Sequence, residues 1–151
     1  MRLWRLAAAS HAALDGEGTR RYGSRWTPHG YAVVYASATL SLAALECLVH
    51  ADPDLQPPSL VAISIDVPSG VVIKAIDRAD LPPDWRDYPA PASLAALGAR
   101  WLESSASAVL SVPSVLIPTE RNYLLDPSHA QFRRCSAGSP EPFLFDRRLP
   151  Y

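Results

Sequence analysis

The chain has 151 residues, of which 48% are hydrophobic and 19% charged, and its net charge at pH 7 is −1. This length fits one domain, and the apolar content excludes a disordered tail. A nearly neutral chain lacks the basic footprint of a dedicated nucleic-acid binder, so we expect no direct nucleic-acid binding. No apolar run reaches the ~18 residues of a membrane span, so we expect a cytoplasmic protein without membrane contact.

The cysteines and histidines give no sign of a disulfide or metal site. Cys47 and Cys135 lie far apart and lack C-x-x-C spacing, so we expect both thiols to be reduced and to bind no zinc. The four histidines stand at neither i, i+2 nor i, i+4 spacing. The sequence also lacks a Gly-rich phosphate loop, which makes a Rossmann or P-loop nucleotide site unexpected. We therefore predict no metal and no resident cofactor.

Fifteen prolines divide the chain into short elements. In the first half, the pattern predicts a strand over residues 3–6, a loop or irregular hairpin over 20–30, a buried strand over 31–36 and a helix over 40–50. Ser37 or Thr39 would cap this helix, and Asp52-Pro53 would end it.

The second half predicts further strands and one more helix. Val61, Ile63 and Ile65 alternate with small residues before a Pro-Ser-Gly turn, which predicts a hairpin over residues 60–76. We expect a Pro-rich surface connection over 80–91, a helix over 93–103, and strands over 109–111, 114–117, 123–125 and 143–145, with Pro113 as a break. Strands outnumber helices in a mixed order, so the predicted fold class is α+β, with one domain over residues 1–151.

Two charged residues conflict with their surroundings. Arg25 stands between a glycine turn and Trp26, where a rigidly held guanidinium suits a phosphate or carboxylate; the alternative is a surface arginine stacked on Trp26. Glu46 is the one acid in a helix that is apolar on almost every side. Carboxylates are seldom buried without a partner, so Glu46 has either a function or a place on a narrow polar stripe with Ser41 and His50.

Two uncharged residues are weaker candidates. Ser114 interrupts an apolar strand, although a lone serine there is usually a small residue that fills space, and no G-x-S-x-G elbow surrounds it. Tyr35 follows two valines near the end of a predicted strand. Its ring is either part of the core or placed beside a cleft, where it would stack on a planar heterocycle.

Together these segments resemble the RES-domain family, the toxin half of RES–Xre toxin–antitoxin systems, which is named for an Arg, a Glu and a Ser in separate motifs. The resemblance covers most of the chain, and its order is more specific than any single motif. The residues that carry it are Gly23-Ser24-Arg25-Trp26, Val33-Val34-Tyr35-Ala36-Ser37, Leu40 to Glu46, Val112-Pro113-Ser114, Pro118, Asn122-Tyr123-Leu124-Leu125, Pro127-Ser128-His129, Phe132, and Phe145, Asp146, Arg148 and Leu149. Thr27 and Asp126 stand where the family often has Asn, and we expect them to change loop hydrogen bonds rather than chemistry.

The resemblance implies a compact fold similar to that of the ADP-ribosyltransferase toxins, with NAD+ as the substrate. It implies cleavage of the nicotinamide–ribose bond by hydrolysis or phosphorolysis, which depletes NAD+ and arrests growth. A cognate Xre-type helix-turn-helix antitoxin would occlude the site. Arg25, Glu46 and Tyr35 would be catalytic, and Arg25, Tyr35, Ser114 and Asn122 would bind substrate.

The chemistry suits these residue types, although it leaves alternatives open. A carboxylate such as Glu46 stabilises the positive charge that develops on the ribose, and Arg25 would clamp a phosphate or ribose oxygen. Ser114 would bind a ribose hydroxyl or the carboxamide, with Asn122 in the same pocket. The alternatives are transfer of ADP-ribose to a protein, a catalytically silent RES-fold partner of an Xre protein, and a serine hydrolase built on Ser114, His129 and an Asp.

Overall fold

One curled mixed sheet organises the protein. The computed structural model describes residues 1–50 and 59–149. Within them the strands are β1 (Arg2–Ala8), β2 (Val34–Ser37), β3 (Leu60–Asp66), β4 (Ile73–Ala75), β5 (Val109–Pro113), β6 (Arg121–Leu125), β7 (Ser136–Ala137) and β8 (Glu141–Phe143). The helices are α1 (Glu17–Tyr22), α2 (Leu40–Val49) and α3 (Ala92–Ser104), with short 3₁₀ turns at Ala9–His11, Arg78–Asp80 and Ala130–Arg134.

The strand order is β4-β5-β6-β2-β1-β3-β7, with β8 also paired to β3. Every pairing is antiparallel except β4 with β5, which is parallel. This mixed sheet with few helices confirms the predicted α+β class. Among the described residues, none of the helices has the length and apolar character that a membrane crossing requires.

The sheet has an apolar cluster on each face, because successive side chains of a strand point to opposite sides. One cluster contains Val34 and Ala36 of β2. The other contains Leu124 of β6, the cross-strand partner of Tyr35, so Tyr35 lies on the second face. Ser37 shares this face with Tyr35, and its own partner is Asn122. The alternation of β2 therefore brings a phenol, a hydroxyl and an amide to one side of the sheet.

Two helices begin and pack as their sequences predict. Thr39, rather than Ser37, caps α2, since its hydroxyl accepts a hydrogen bond of 3.1 Å from the Leu42 amide. Helix α3 buries Leu94, Gly98 and Trp101 at helical spacing. A Cβ on Gly98 would lie 1.6 Å from the Trp26 carbonyl oxygen. Glycine thus permits the close contact that seats the Trp26 turn, next to Arg25, against α3.

The predicted hairpin over residues 60–76 is wrong. The turn itself forms, because the Val71 amide donates to the Pro68 carbonyl at 3.0 Å. The strands on its two sides separate, however: β3 pairs along its whole length with β1, whereas β4 pairs in parallel with β5. A seven-residue register with β1 offers β3 more cross-strand contacts than the three-residue β4 would.

Several other element predictions need correction. Residues 20–30 were expected to be a loop or irregular hairpin, yet α1 takes in their first three residues, and a Ser24–Thr27 bridge closes a tight turn. β5 includes Pro113 as its last residue, and residues 114–117 form no strand because the Ser114 hydroxyl turns the chain there. The strands β2 and β8 lie a few residues away from their predicted bounds. α2 ends at Val49, and the predicted stop at Asp52-Pro53 lies outside the described residues.

Candidate active site

The Glu46 carboxylate is held by two donors that are distant in sequence. Its Oε1 atom accepts a hydrogen bond from the Ser114 hydroxyl at 2.9 Å and another from the Asn122 amide nitrogen at 2.5 Å. Ser114 is fully buried and Asn122 is 9% exposed. No hydrogen bond within the described residues occupies Oε2, so one carboxylate oxygen is anchored and the other is available. Glu46 therefore lies in the site and not on a polar stripe with the exposed Ser41 and His50.

Ser114 uses its whole hydrogen-bonding capacity inside the protein. Its hydroxyl donates to Glu46 and accepts from the amides of Leu116 and Ile117 at 3.1 and 3.2 Å. A serine hydroxyl has one donor and two acceptor lone pairs, so all three are used. This arrangement explains why the chain turns directly after β5. It also leaves no free lone pair or proton on Ser114 for another ligand.

Ser37 orients the Asn122 side chain. The Ser37 hydroxyl donates to the Asn122 carbonyl oxygen at 2.7 Å, so the amide nitrogen on the other side faces Glu46. The cross-strand register of β2 and β6 places these two residues opposite each other. Our sequence analysis named Ser37 as a helix cap and as the end of a family motif, but not as a site residue. The period-two spacing from Tyr35 was the signal that would have placed it on the site face.

Arg25 ties a neighbouring loop to the site. Its Nη1 donates to the backbone carbonyls of Trp85 and Asp87, each at 3.0 Å. Burial lowers the pKa of Arg25, and the charge of Glu46 acts in the opposite direction. Glu46 is therefore within electrostatic range of this guanidinium. Nε and Nη2 of Arg25 make no hydrogen bond to the described residues, so one edge of the fork is free to bind a ligand.

Tyr35 is half-buried on the same face of the sheet. Its hydroxyl shares a hydrogen bond with the hydroxyl of Ser24, a residue that sequence reasoning missed. Burial raises the pKa of Tyr35 to about 12, and the negative charge of Glu46 also raises it. The phenol is therefore neutral at physiological pH and serves as a hydrogen-bonding group rather than as a base.

The structure thus brings the five predicted site residues to one region by two kinds of link. Glu46, Ser114 and Asn122 are joined by direct hydrogen bonds. Arg25 and Tyr35 are linked to Glu46 through its charge, with no hydrogen bond to its carboxylate. Within the described part of the chain, no three His, Cys, Asp or Glu side chains converge as metal ligands would. Cys47 and Cys135 are both free thiols.

The two departures from the family pattern affect local turns. Thr27 is buried, and its hydroxyl lies 2.7 Å from the Ser24 hydroxyl. Asp126 accepts from the amide and the hydroxyl of Ser128 at 2.9 and 2.6 Å. Neither side chain has a hydrogen bond to Glu46, but the Ser24 hydroxyl beside Thr27 also bonds the hydroxyl of Tyr35. Their effect on the chemistry stays a prediction.

The same architecture occurs in a solved structure. The fold matches a chain in the crystal structure of the M. tuberculosis MbcT–MbcA toxin–antitoxin complex, with a TM-score of 0.77 and 16% identity, over 94% of this chain and 83% of the other. This match confirms the predicted fold. Sheet and site together define an α+β protein that shares the fold of that chain and has an anchored carboxylate on one face of its sheet.

The sequence comparisons give the family. The family model described as RES domain matches residues 2–146, so the chain belongs to the RES-domain family. It is 38% identical over 152 residues to a protein of Yersinia enterocolitica named Toxin Res, covering 99% of each chain. It is also 34% identical to the Prs ADP-ribosylating toxin of a Sphingobium species, covering 97% of this chain and 94% of that one.

Proposed function

We propose that this chain is the toxin of a toxin–antitoxin pair and that it cleaves NAD+ at the nicotinamide–ribose bond. The observation that carries the proposal is the Glu46 carboxylate, anchored through Oε1 by Ser114 and Asn122 with Oε2 unoccupied by the described residues. Relatives named as toxins over nearly the whole chain support the toxin role. The structural match to a chain of a toxin–antitoxin complex supports an antitoxin partner, for which we propose an Xre-type helix-turn-helix protein.

The reaction breaks the bond between the ribose carbon and the nicotinamide nitrogen. The electron pair of that bond leaves with nicotinamide and neutralises its ring, while positive charge develops on the ribose. Oε2 of Glu46 would face this charge, and it stabilises the oxocarbenium-like transition state more than the ground state. Water then adds to the ribose carbon and releases a proton, which gives ADP-ribose. With phosphate as the nucleophile, the product is ADP-ribose carrying a new phosphate at the same carbon.

The remaining residues take roles that follow from their contacts. Ser114 and Asn122 position Glu46, since the Ser114 hydroxyl has no capacity left for the ribose or carboxamide contact that we predicted from sequence. The free edge of Arg25 would bind a phosphate or ribose oxygen of the substrate. Tyr35, neutral and half-buried, would stack on nicotinamide or hydrogen-bond the ribose.

Transfer of ADP-ribose to a protein is the second candidate function. The observation that favours it is the relative named Prs ADP-ribosylating toxin. The bond that breaks and the charge that Glu46 would stabilise are the same, and only the nucleophile differs. The hydrolase alternative loses support, because both His129 ring nitrogens bond elsewhere, to the Ser105 carbonyl and the Gln131 amide, and not to Ser114.

The test is to incubate the purified chain with NAD+ in water, with added phosphate, or with a cell extract as a source of protein acceptors. We expect nicotinamide release in every case, with the ADP-ribose product identified by mass spectrometry. Expression of the chain alone should arrest growth, and co-expression of an adjacent helix-turn-helix gene should restore it. Unchanged growth and NAD+ levels would instead favour a catalytically silent binding partner.

Replacing Arg25 with Lys tests the proposed clamp. Lysine keeps the positive charge but loses the planar fork, whose free Nε and Nη2 would bind the substrate. We expect KM for NAD+ to rise by about tenfold, the effect of losing one hydrogen bond to a charged group, with little change in melting temperature. Arg100→Lys, on the exposed side of α3, is the matched control. A KM equal to that of the control would show that Arg25 does not bind substrate and only holds the Trp85 and Asp87 carbonyls.

A further inference from the structure

A cavity of about 500 Å³ lies beside the candidate site and has no role so far. Its lining residues are Arg78, Ala79, Trp85, Arg86 and Pro118. Two hydrogen bonds connect its wall to the site: the Trp85 carbonyl accepts from Arg25, and Arg86 Nε donates at 3.1 Å to the carbonyl of Val115, the residue after Ser114. The volume is in the range of small-molecule sites.

The charge lining this cavity is positive. Arg78 and Arg86 are its charged lining residues, and both are exposed. The Arg78 side chain makes no hydrogen bond or ion pair with the described residues, and the Arg86 side chain donates only through Nε. The nearby Asp77 carboxylate is oriented instead toward Arg121, at 3.5 Å. Two guanidinium groups with free donor edges, in a cavity lined by no carboxylate, are suited to an anion with several oxygens.

A second cavity, with an acidic lining, shows that the positive charge is particular to the Arg78–Arg86 cavity. It has a volume of about 290 Å³ and includes Glu103 and Asp126 in its lining, with no Arg or Lys. A phosphate group would meet two carboxylates there and two guanidinium groups in the Arg78–Arg86 cavity. Of these two cavities, the Arg78–Arg86 cavity is therefore the one that fits an anionic ligand. It is also the one that hydrogen bonds connect to Arg25 and to Val115.

We propose that Arg78 and Arg86 form a phosphate-binding subsite in the cavity that adjoins Arg25 and Val115. This inference rests on the proposed function for its ligand, which is the diphosphate of NAD+ or the free phosphate that would attack the ribose. Both ligands present the same tetrahedral oxygens to the two guanidinium groups. The subsite would hold the charged part of the reactants while Glu46 acts at the ribose carbon.

Binding measured without turnover tests the subsite first. ADP-ribose, which carries the diphosphate, and adenosine, which does not, are titrated calorimetrically into the wild-type chain and into Arg78→Gln, Arg86→Gln and Arg100→Gln. Arg78→Gln is the cleanest variant because it removes no internal contact, and Arg100→Gln removes the same charge from the exposed side of α3. We expect Kd for ADP-ribose, or for inorganic phosphate titrated alone, to rise by about tenfold or more in the first two variants only. Adenosine binding should not change in any variant.

Turnover then distinguishes the two phosphate sources. A rise in KM for NAD+ in phosphate-free buffer assigns the subsite to the diphosphate, whereas a rise in KM for added phosphate alone assigns it to the nucleophile. Wild-type chain that binds ADP-ribose through these arginines without consuming NAD+ would overturn the proposed function and leave the subsite standing. Affinities and KM values of Arg78→Gln and Arg86→Gln that equal those of Arg100→Gln would overturn the subsite, whatever the wild-type activity.

Discussion

Replacing Glu46 with Gln should lower NAD+ turnover by about two to three orders of magnitude, the scale seen when one preorganised electrostatic group is lost. The glutamine oxygen keeps an acceptor for Ser114 and Asn122, which anchor Oε1 in the wild type. What disappears is the negative charge that would face the ribose in the transition state. Substrate binding should change less than turnover, because the charge acts mainly on the transition state.

The melting temperature of Glu46→Gln should stay the same or rise. No ion pair of the described residues involves Glu46, so its neutralisation leaves no buried cation without a partner. An uncharged amide is also less costly to desolvate than a carboxylate. Nicotinamide release and thermal melts are compared with wild type and with Glu141→Gln, which removes the same charge from the exposed strand β8. Retained turnover with a lower melting temperature would show that Glu46 stabilises the fold and is not an active-site residue.

Glu46 could be predicted from sequence because its chemistry conflicts with its own helix. A carboxylate among leucines and alanines requires an explanation whatever the rest of the fold is. Its partners could not be predicted in the same way. Ser114 and Asn122 are 68 and 76 residues away, and they reach Glu46 only because β2, β6 and β5 are neighbours in the sheet. Strand order is a long-range property that local periodicity does not contain.

The same distinction explains the error at residues 60–76. The alternation of β3 and the turn at Pro68 were correctly inferred from local sequence, yet the partners of β3 come from both ends of the chain. At the site, Arg25 shows how far local sequence can predict function. Its motif marked it as functional, but its carbonyl partners at Trp85 and Asp87 lie in a loop that we expected to be only a surface connection.

Replacing Asn122 with Asp should destabilise the protein by about 3 kcal/mol at neutral pH, as expected when a buried group loses its donor and faces a like charge. The asparagine nitrogen that donates to Glu46 at 2.5 Å becomes a carboxylate oxygen, while the Ser37 hydroxyl can still donate to the other oxygen. Two carboxylates so close cannot both ionise without repulsion, so the folded-state pKa of the pair rises above its unfolded value of about 4.

This rise determines the pH dependence of the loss. A group that binds its proton more tightly in the folded state loses stability as the pH rises through the folded pKa, and the penalty disappears below the unfolded pKa. The melting-temperature deficit of Asn122→Asp should therefore be largest at pH 7–8 and shrink towards about pH 4, relative to wild type at each pH. Asn122→Ala removes the hydrogen bonds to both Glu46 and Ser37 without adding charge, so its deficit should depend much less on pH. A deficit of Asn122→Asp that varies with pH no more than that of Asn122→Ala would show that Asn122 does not face the Glu46 charge in solution.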